Sequence, residues 1–175
     1  MPHNMSISIQ QNRPPSSDPT LRWGLSSATG YLQLGMLSEA AHELTSLGLE
    51  YQTDPEVLEL RIRILIARKQ CNKAAKLANI ATRLYPKLID FYVLNASAYE
   101  EKGNPQKAKE VWLSVPLLFQ NSGFLHYKIA RCEKKLGNYL SAREHMEEAI
   151  KIDGDISQDL INYPEMEAPS KDRLN

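Results

Sequence analysis

Hydrophobic and small residues recur along this chain with a period of 34 positions. Ala40, Ala74, Ala108 and Ala142 are each 34 residues apart. The same phase is kept by a second alanine series and by a glycine series: Ala28, Ala96 and Ala130, and Gly35, Gly103 and Gly137. A fixed period of about 20–50 residues is typical of stacked supersecondary units, because no single unit can bury its apolar face alone.

The repeat divides the chain into units 21–54, 55–88, 89–122 and 123–156. The residue pattern of each unit predicts two helices joined by a short turn. The predicted helices cover 19–34 and 38–51, 55–68 and 71–84, 88–102 and 105–119, and 123–136 and 139–152. Asp18-Pro19, Asp54-Pro55 and Asn104-Pro105 each place a capping side chain before a proline, and Asn138 is a further candidate cap. Small contact residues let paired helices approach to about 8–10 Å.

These residues resemble the tetratricopeptide repeat family, whose pattern combines small residues, a turn glycine, tyrosines and a closing proline. The resemblance covers about residues 21–154 and is clearest in units three and four. It implies an all-α fold, a right-handed superhelical solenoid of about four helix-turn-helix repeats. Unit two departs most from the pattern, since it has Arg61, Ile62 and Lys69 at an apolar, a small and a glycine position.

Outside the repeats we expect a flexible N-terminal arm over 1–18 and an irregular C-terminal tail over 163–175, with the repeat domain covering 19–162. Ile156, Leu160 and Ile161 predict a short helical turn over the end of unit four. Within unit three, Pro116 falls in the second predicted helix. Because proline disrupts a helix interior, we expect a kink or an early end near Val115.

Composition and charge narrow the class of function. Lys and Arg number 21 and Asp and Glu number 21, so no net field attracts nucleic acid or an acidic membrane. No apolar run reaches the roughly 18–20 residues of a membrane span, and the first residues lack the pattern of a secretory signal. We therefore expect a cytoplasmic protein, with Cys71 and Cys132 as reduced side chains.

The sequence offers no catalytic or cofactor-binding motif. His3, His42, His126 and His145 lack metal-ligand spacing, and there is no phosphate loop, dinucleotide fingerprint or nucleophile elbow. We predict that the protein is not an enzyme and needs no cofactor or metal.

The resemblance implies that the first helix of each unit lines a concave groove. In units one and two these positions hold Arg22, Leu25, Thr29, Leu32 and Gln33, and Glu56, Glu59, Leu60, Arg63 and Ile66. In units three and four they include Ser97, Glu100 and Glu101, and Phe124, Tyr127, Lys128, Arg131, Lys134 and Lys135. The groove thus changes from acidic to basic along its length. The basic end suits an extended acidic peptide, or it is a solvated face paired with Glu100 and Glu101.

Three functions remain open at this stage. The first is an adaptor or scaffold that binds a segment of a partner protein in the groove. The second is a small repeat chaperone of a bacterial secretion system, similar to those that shield an exported protein. The third is a scaffold that assembles with itself through the poorly capped end of unit four.

Overall fold

The computed structural model describes residues 18–154, over which the chain forms eight α-helices and no strand. In chain order these are α1 (Pro19–Gln33), α2 (Leu37–Ser46), α3 (Pro55–Ala67), α4 (Cys71–Leu84), α5 (Ile89–Glu101), α6 (Pro105–Leu113), α7 (Gly123–Lys135) and α8 (Tyr139–Ile152). Short 3-10 turns at Leu49–Tyr51 and Leu117–Phe119 follow α2 and α6. Residues 1–17 of the arm predicted over 1–18, the turn predicted near 156–161 and the tail at 163–175 lie outside the described residues.

Three of the helices, α1, α3 and α6, begin where a capping side chain precedes a proline. The Asp18 carboxylate accepts hydrogen bonds from the backbone N–H groups of Thr20 and Leu21. Asp54 caps α3 in the same way, and Asn104 Oδ1 accepts from the N–H of Lys107 at 3.0 Å to cap α6. The prediction for Asn138 was wrong: its side chain makes no cap hydrogen bond. Instead, Asn138 Nδ2 donates to Glu133 Oε2 at 2.8 Å.

All four turns between paired helices share one backbone geometry. Gly35, Gly103 and Gly137 have φ of 75°, 72° and 81°, the left-handed region that glycine tolerates best. Lys69 adopts the same conformation, with φ of 59°, and the following N–H of Gln70 donates to Leu65 O at 2.9 Å. Unit two therefore keeps the turn of its neighbours despite lacking the glycine.

Two of the second helices are shorter than the others. The early end predicted from Pro116 is confirmed, because α6 stops at Leu113. The prediction for α2 was too long, since that helix ends at Ser46 rather than near residue 51. Leu47 turns into extended backbone, and its buried side chain fills space that a Cβ on Gly24 would occupy at 2.7 Å. α2 therefore ends at Ser46 because Leu47 packs onto α1.

The recurrent alanines form the contacts between helices. Six of the seven in the two series have 0% exposed surface, and Ala142 has 2%. Around them lie three core clusters, one at each junction between successive units; Trp112, Phe91 and Leu44 are among the largest buried side chains. Each helix packs on the next, and α3 also packs on both α1 and α5. The first helices α1, α3 and α5 thus contact one another in turn, and α7 shares a core cluster with α5, within an all-helical solenoid.

Candidate functional site

The inner face between units one and two holds an open cavity of ≈ 590 Å³. It is lined by residues of α1 and α3: Leu25, Ser26, Thr29, Gly30, Gln33, Glu56, Glu59 and Leu60. All of these except Ser26 and Gly30 are at groove positions that the family resemblance implied. Glu59 forms an ion pair with Arg63, Oε1 to Nη2 at 2.7 Å, so the charge of Arg63 is balanced within its own helix.

α7 carries four cations and two aromatic rings that we together call the basic surface. It consists of Phe124, Tyr127, Lys128, Arg131, Lys134 and Lys135. Lys128 Nζ lies 5.1 Å from the centre of the Phe124 ring, and Arg131 Cζ lies 5.8 Å from that of Tyr127. At these distances each cation is attracted by the negative face of a ring.

Core packing fixes one of these rings. Phe124 meets the buried Trp112 edge to face, with ring centres 5.9 Å apart and planes at 88°. Trp112 is 1% exposed and belongs to the core cluster between units three and four. Lys128 therefore lies over a ring that the core holds in place, and less side-chain freedom is lost when a ligand binds there.

The basic surface also carries an unbalanced field. Burial lowers the pKa of Lys128, and Arg131 and Lys135 lower it further, although Glu100 opposes the shift. Burial likewise raises the pKa of the neighbouring Cys132 thiol to about 11, with a contribution from Glu100. Cys132 is therefore a neutral thiol at physiological pH, which makes it a poor nucleophile.

The acidic residues of α5 do not neutralise these cations by direct contact. Glu101 Oε2 is paired with Lys69 Nζ at 2.6 Å, on the side towards unit two. Within residues 18–154, no carboxylate oxygen lies within 4.0 Å of the cationic atoms of Lys128, Arg131, Lys134 or Lys135. Glu100 acts on Lys128 only through its field. Ser97 is half-buried on α5.

Of the predicted site residues, the structure thus brings the aromatic and cationic members together on α7, with Glu100 near them. Arg63 and Glu101 are engaged in ion pairs elsewhere. The interpretation in which Glu101 pairs with the basic residues of unit four is wrong, because Lys69 holds its carboxylate.

Comparison with known proteins identifies the repeat. A family model described as tetratricopeptide repeat matches residues 125–156, nearly the whole of unit four. The chain carries a tetratricopeptide-repeat solenoid. No curated protein sequence matches it.

Solved structures agree with this repeat fold. MamA from Desulfovibrio magneticus RS-1 (residues 41 to the end) is 15% identical, with a TM-score of 0.65 over 79% of this chain and 78% of that one. A protein from Thermus thermophilus, TTC0263, titled a thermophilic tetratricopeptide-repeat protein, is 14% identical with a TM-score of 0.64 over 82% and 79%. MamA MSR-1 C2 is 17% identical, with a TM-score of 0.62 over 78% and 76%. At these identities the likeness establishes the fold.

A polar network between α6, α7 and α8 had no signal in the sequence. Glu133 is 7% exposed and accepts hydrogen bonds from Asn138 Nδ2, Lys109 Nζ and Ser141 Oγ at 2.8, 3.2 and 3.3 Å. Burial alone would raise the pKa of Glu133, but the bonds from Asn138 and Lys109 outweigh it and lower the pKa. This network joins α6, α7 and α8 and orients α7.

A histidine pair was also missed, because it depends on the register between two helices. His126 Nδ1 of α7 lies 3.2 Å from His145 Nδ1 of α8, a distance at which one ring can donate to the other.

Among the described residues, no group of three or more His, Cys, Asp or Glu side chains is arranged to hold a metal ion. Nor does any helix in this range have the length and apolar character that a bilayer crossing requires.

Proposed function

We propose that this protein is a non-enzymatic adaptor that binds an extended, acidic and apolar segment of a partner protein on its concave face. The observation that carries the proposal is the basic surface itself. Two of its cations, Lys128 and Arg131, lie over aromatic rings, and none of its four cations has a carboxylate within 4.0 Å among residues 18–154. Such a surface offers both charge and apolar contact to a ligand.

Desolvation gives the basic surface its selectivity. Lys128 is partly withdrawn from water and repelled by Arg131 and Lys135, which is why its pKa is lowered. A ligand carboxylate placed there relieves that repulsion and gains a partner that is already partly desolvated. A basic ligand would add to the repulsion and would be rejected.

The architecture favours an extended ligand over a compact one. α3 contacts both α1 and α5, and α7 shares a core cluster with α5. A ligand that leaves the basic surface of α7 would therefore pass Ser97 of α5 on its way to the cavity between α1 and α3. Affinity would come from a few anchors, with Phe124, Tyr127 and Lys128 at their centre. No specific contact in the described residues favours the secretion chaperone or the self-assembling scaffold.

Peptide binding tests the proposal. A labelled peptide in which Glu alternates with Leu and Tyr is titrated with the full chain and followed by fluorescence anisotropy, beside the same peptide with Lys for Glu. We expect the acidic peptide to bind, the basic one not to bind, and the affinity to fall as salt is raised.

Matched charge reversals locate the site. Lys128→Glu should weaken binding at least about tenfold, which corresponds to about 1.4 kcal/mol. Lys76→Glu, on the exposed face of α4, should leave it unchanged. Lys135→Glu is a second test at an exposed position, where no packing is lost. Equal affinity for the two peptides, or full affinity in both Lys128→Glu and Lys135→Glu, would reject the basic surface as the binding site.

A further inference from the structure

The sequence that follows α8 has the composition that the basic surface selects. Residues 155–169 contain four carboxylates, Asp155, Asp159, Glu165 and Glu167, and no Lys or Arg. Between these acids lie apolar and aromatic residues, among them Ile156, Leu160, Ile161 and Tyr163. The other end of the chain differs sharply, because residues 1–17 contain no Asp or Glu at all.

The chain leaves the described structure close to one end of the basic surface. His126 of α7 contacts His145 of α8, so these two residues lie at the same level of the two antiparallel helices. From His145, α8 continues to Ile152, in the direction of the amino end of α7. Phe124 lies at that end, so Ile152, the last residue of α8, is within about two helical turns, roughly 10 Å, of the level of Phe124.

Residues 155–169 are numerous enough to extend along the whole basic surface. From Phe124 to Lys135 the helix rises about 16 Å, at about 1.5 Å per residue. An extended segment of 155–169 spans up to about 50 Å, at about 3.3 Å per residue. α7 and α8 belong to the same unit, and it is the last unit within residues 18–154.

We propose that residues 155–169 of this chain are themselves a ligand of the basic surface and bind it within the same molecule. The carboxylates face Lys128, Arg131 and Lys135, and the apolar side chains lie against Phe124 and Tyr127. This inference rests on the proposed function, because it assumes that the basic surface binds acidic and apolar segments. Tethering favours the contact, since a short linker gives an effective concentration in the millimolar range.

A bound terminal segment changes how an external partner is recognised. The partner must displace residues 155–169, so its apparent affinity is reduced by the fraction of molecules in which the surface is already occupied. The partner therefore has to offer better anchors than the tethered segment does. The surface thus discriminates against weak acidic peptides.

Neutralising the segment in the full chain tests the inference. The variant carries Asp155→Asn, Asp159→Asn, Glu165→Gln and Glu167→Gln, and the probe is a labelled synthetic peptide of residues 155–169. We expect the neutralised chain to bind this peptide at least tenfold more tightly than the unsubstituted chain. Adding Lys128→Glu should abolish the gain, and a control peptide of residues 1–17 should bind neither protein.

The outcomes separate this inference from the proposed function. If both chains bind the Glu-Leu-Tyr peptide equally and Lys128→Glu still weakens it, the function stands and the tethered contact is refuted. If neither chain binds the Glu-Leu-Tyr peptide, the proposed function has failed. If the neutralised chain binds that peptide but not the peptide of residues 155–169, the terminal segment is not a ligand and the inference is overturned.

Carbodiimide crosslinking of the unsubstituted full chain, read by mass spectrometry, locates the contact. Amide bonds from Lys128, Lys134 or Lys135 to a carboxylate of residues 155–169 support it. In an equal mixture of unlabelled and ¹⁵N-labelled protein, these crosslinks should join residues of the same isotope. Mixed-isotope products would show binding to a second copy and overturn the intramolecular contact. Crosslinks confined to exposed lysines of α4, such as Lys76, would overturn it as well.

Discussion

Ala108→Leu is the substitution that most directly strains the close contact between α5 and α6. The Ala108 side chain has 0% exposed surface and lies in the cluster that includes Ala96 and Trp112. Leucine adds an isopropyl group where no free volume is available, so either the helices separate or neighbouring side chains leave their rotamers. Overpacking of this kind costs about 1–3 kcal/mol, and occasionally more.

The matched control is Ala67→Leu, at an exposed position near the end of α3. Alanine and leucine are both strong helix formers, so this change should stay within about 0.5 kcal/mol. Urea unfolding followed by far-ultraviolet circular dichroism gives both free energies, and a loss of about 2 kcal/mol should lower Tm by about 4–8 °C. Equal midpoints for the two variants would refute the claim that buried methyl groups set the helix spacing.

Three further changes test other parts of the structure. Trp112→Ala should lower the free energy of unfolding by about 3–5 kcal/mol because the ring is 1% exposed, whereas Trp23→Ala, at 76% exposed, should leave it nearly unchanged. Urea unfolding compares the two variants, and similar losses of stability would contradict the assigned core. Gly103→Ala should lower the free energy of unfolding by about 1–2 kcal/mol. The added Cβ meets no atom within 4 Å, so this cost comes from the backbone alone, whose φ is 72°. An unchanged urea midpoint would contradict a strained turn. Burial, and then His126, lower the pKa of His145, so the folded state disfavours its proton and stability should fall as pH drops below about 6.5. His145→Gln should reduce this acid sensitivity, and His42→Gln, at an exposed position, should not. The sensitivity is the difference between the urea midpoints at about pH 5 and pH 8. Equal differences in the unsubstituted chain and both variants would contradict the role of His145.

The repeat was readable from the sequence because its signals are local and redundant. Each buried alanine series recurs in phase, and a shift of one residue would turn a methyl group outward, so the register is strongly specified. The proline breaks are equally local: Pro116 ends α6 through its own ring and missing N–H. Lys69 departed from the pattern and still adopts the turn, because the hydrogen bond from Gln70 to Leu65 O holds the backbone.

Features that depend on packing between helices could not be read in the same way. The end of α2 is set by Leu47 packing against Gly24, more than 20 positions earlier in the chain. Glu133 is stabilised by donors from α6, from α8 and from the turn between α7 and α8, and its charged sequence context carried no sign of burial. The ion pair between Lys69 and Glu101 likewise spans two units, so the sequence could not show that Glu101 is turned away from α7.

Backbone amide chemical shifts of the ¹⁵N-labelled chain, recorded while the Glu-Leu-Tyr peptide is added, locate the bound peptide on the solenoid. If the basic surface binds it, the largest changes will fall on α7 between Phe124 and Lys135, with smaller ones on α5 near Glu100. Changes confined to the second helices and the exposed Leu117 and Leu118, with α7 unaffected, would rule out the basic surface as the binding site.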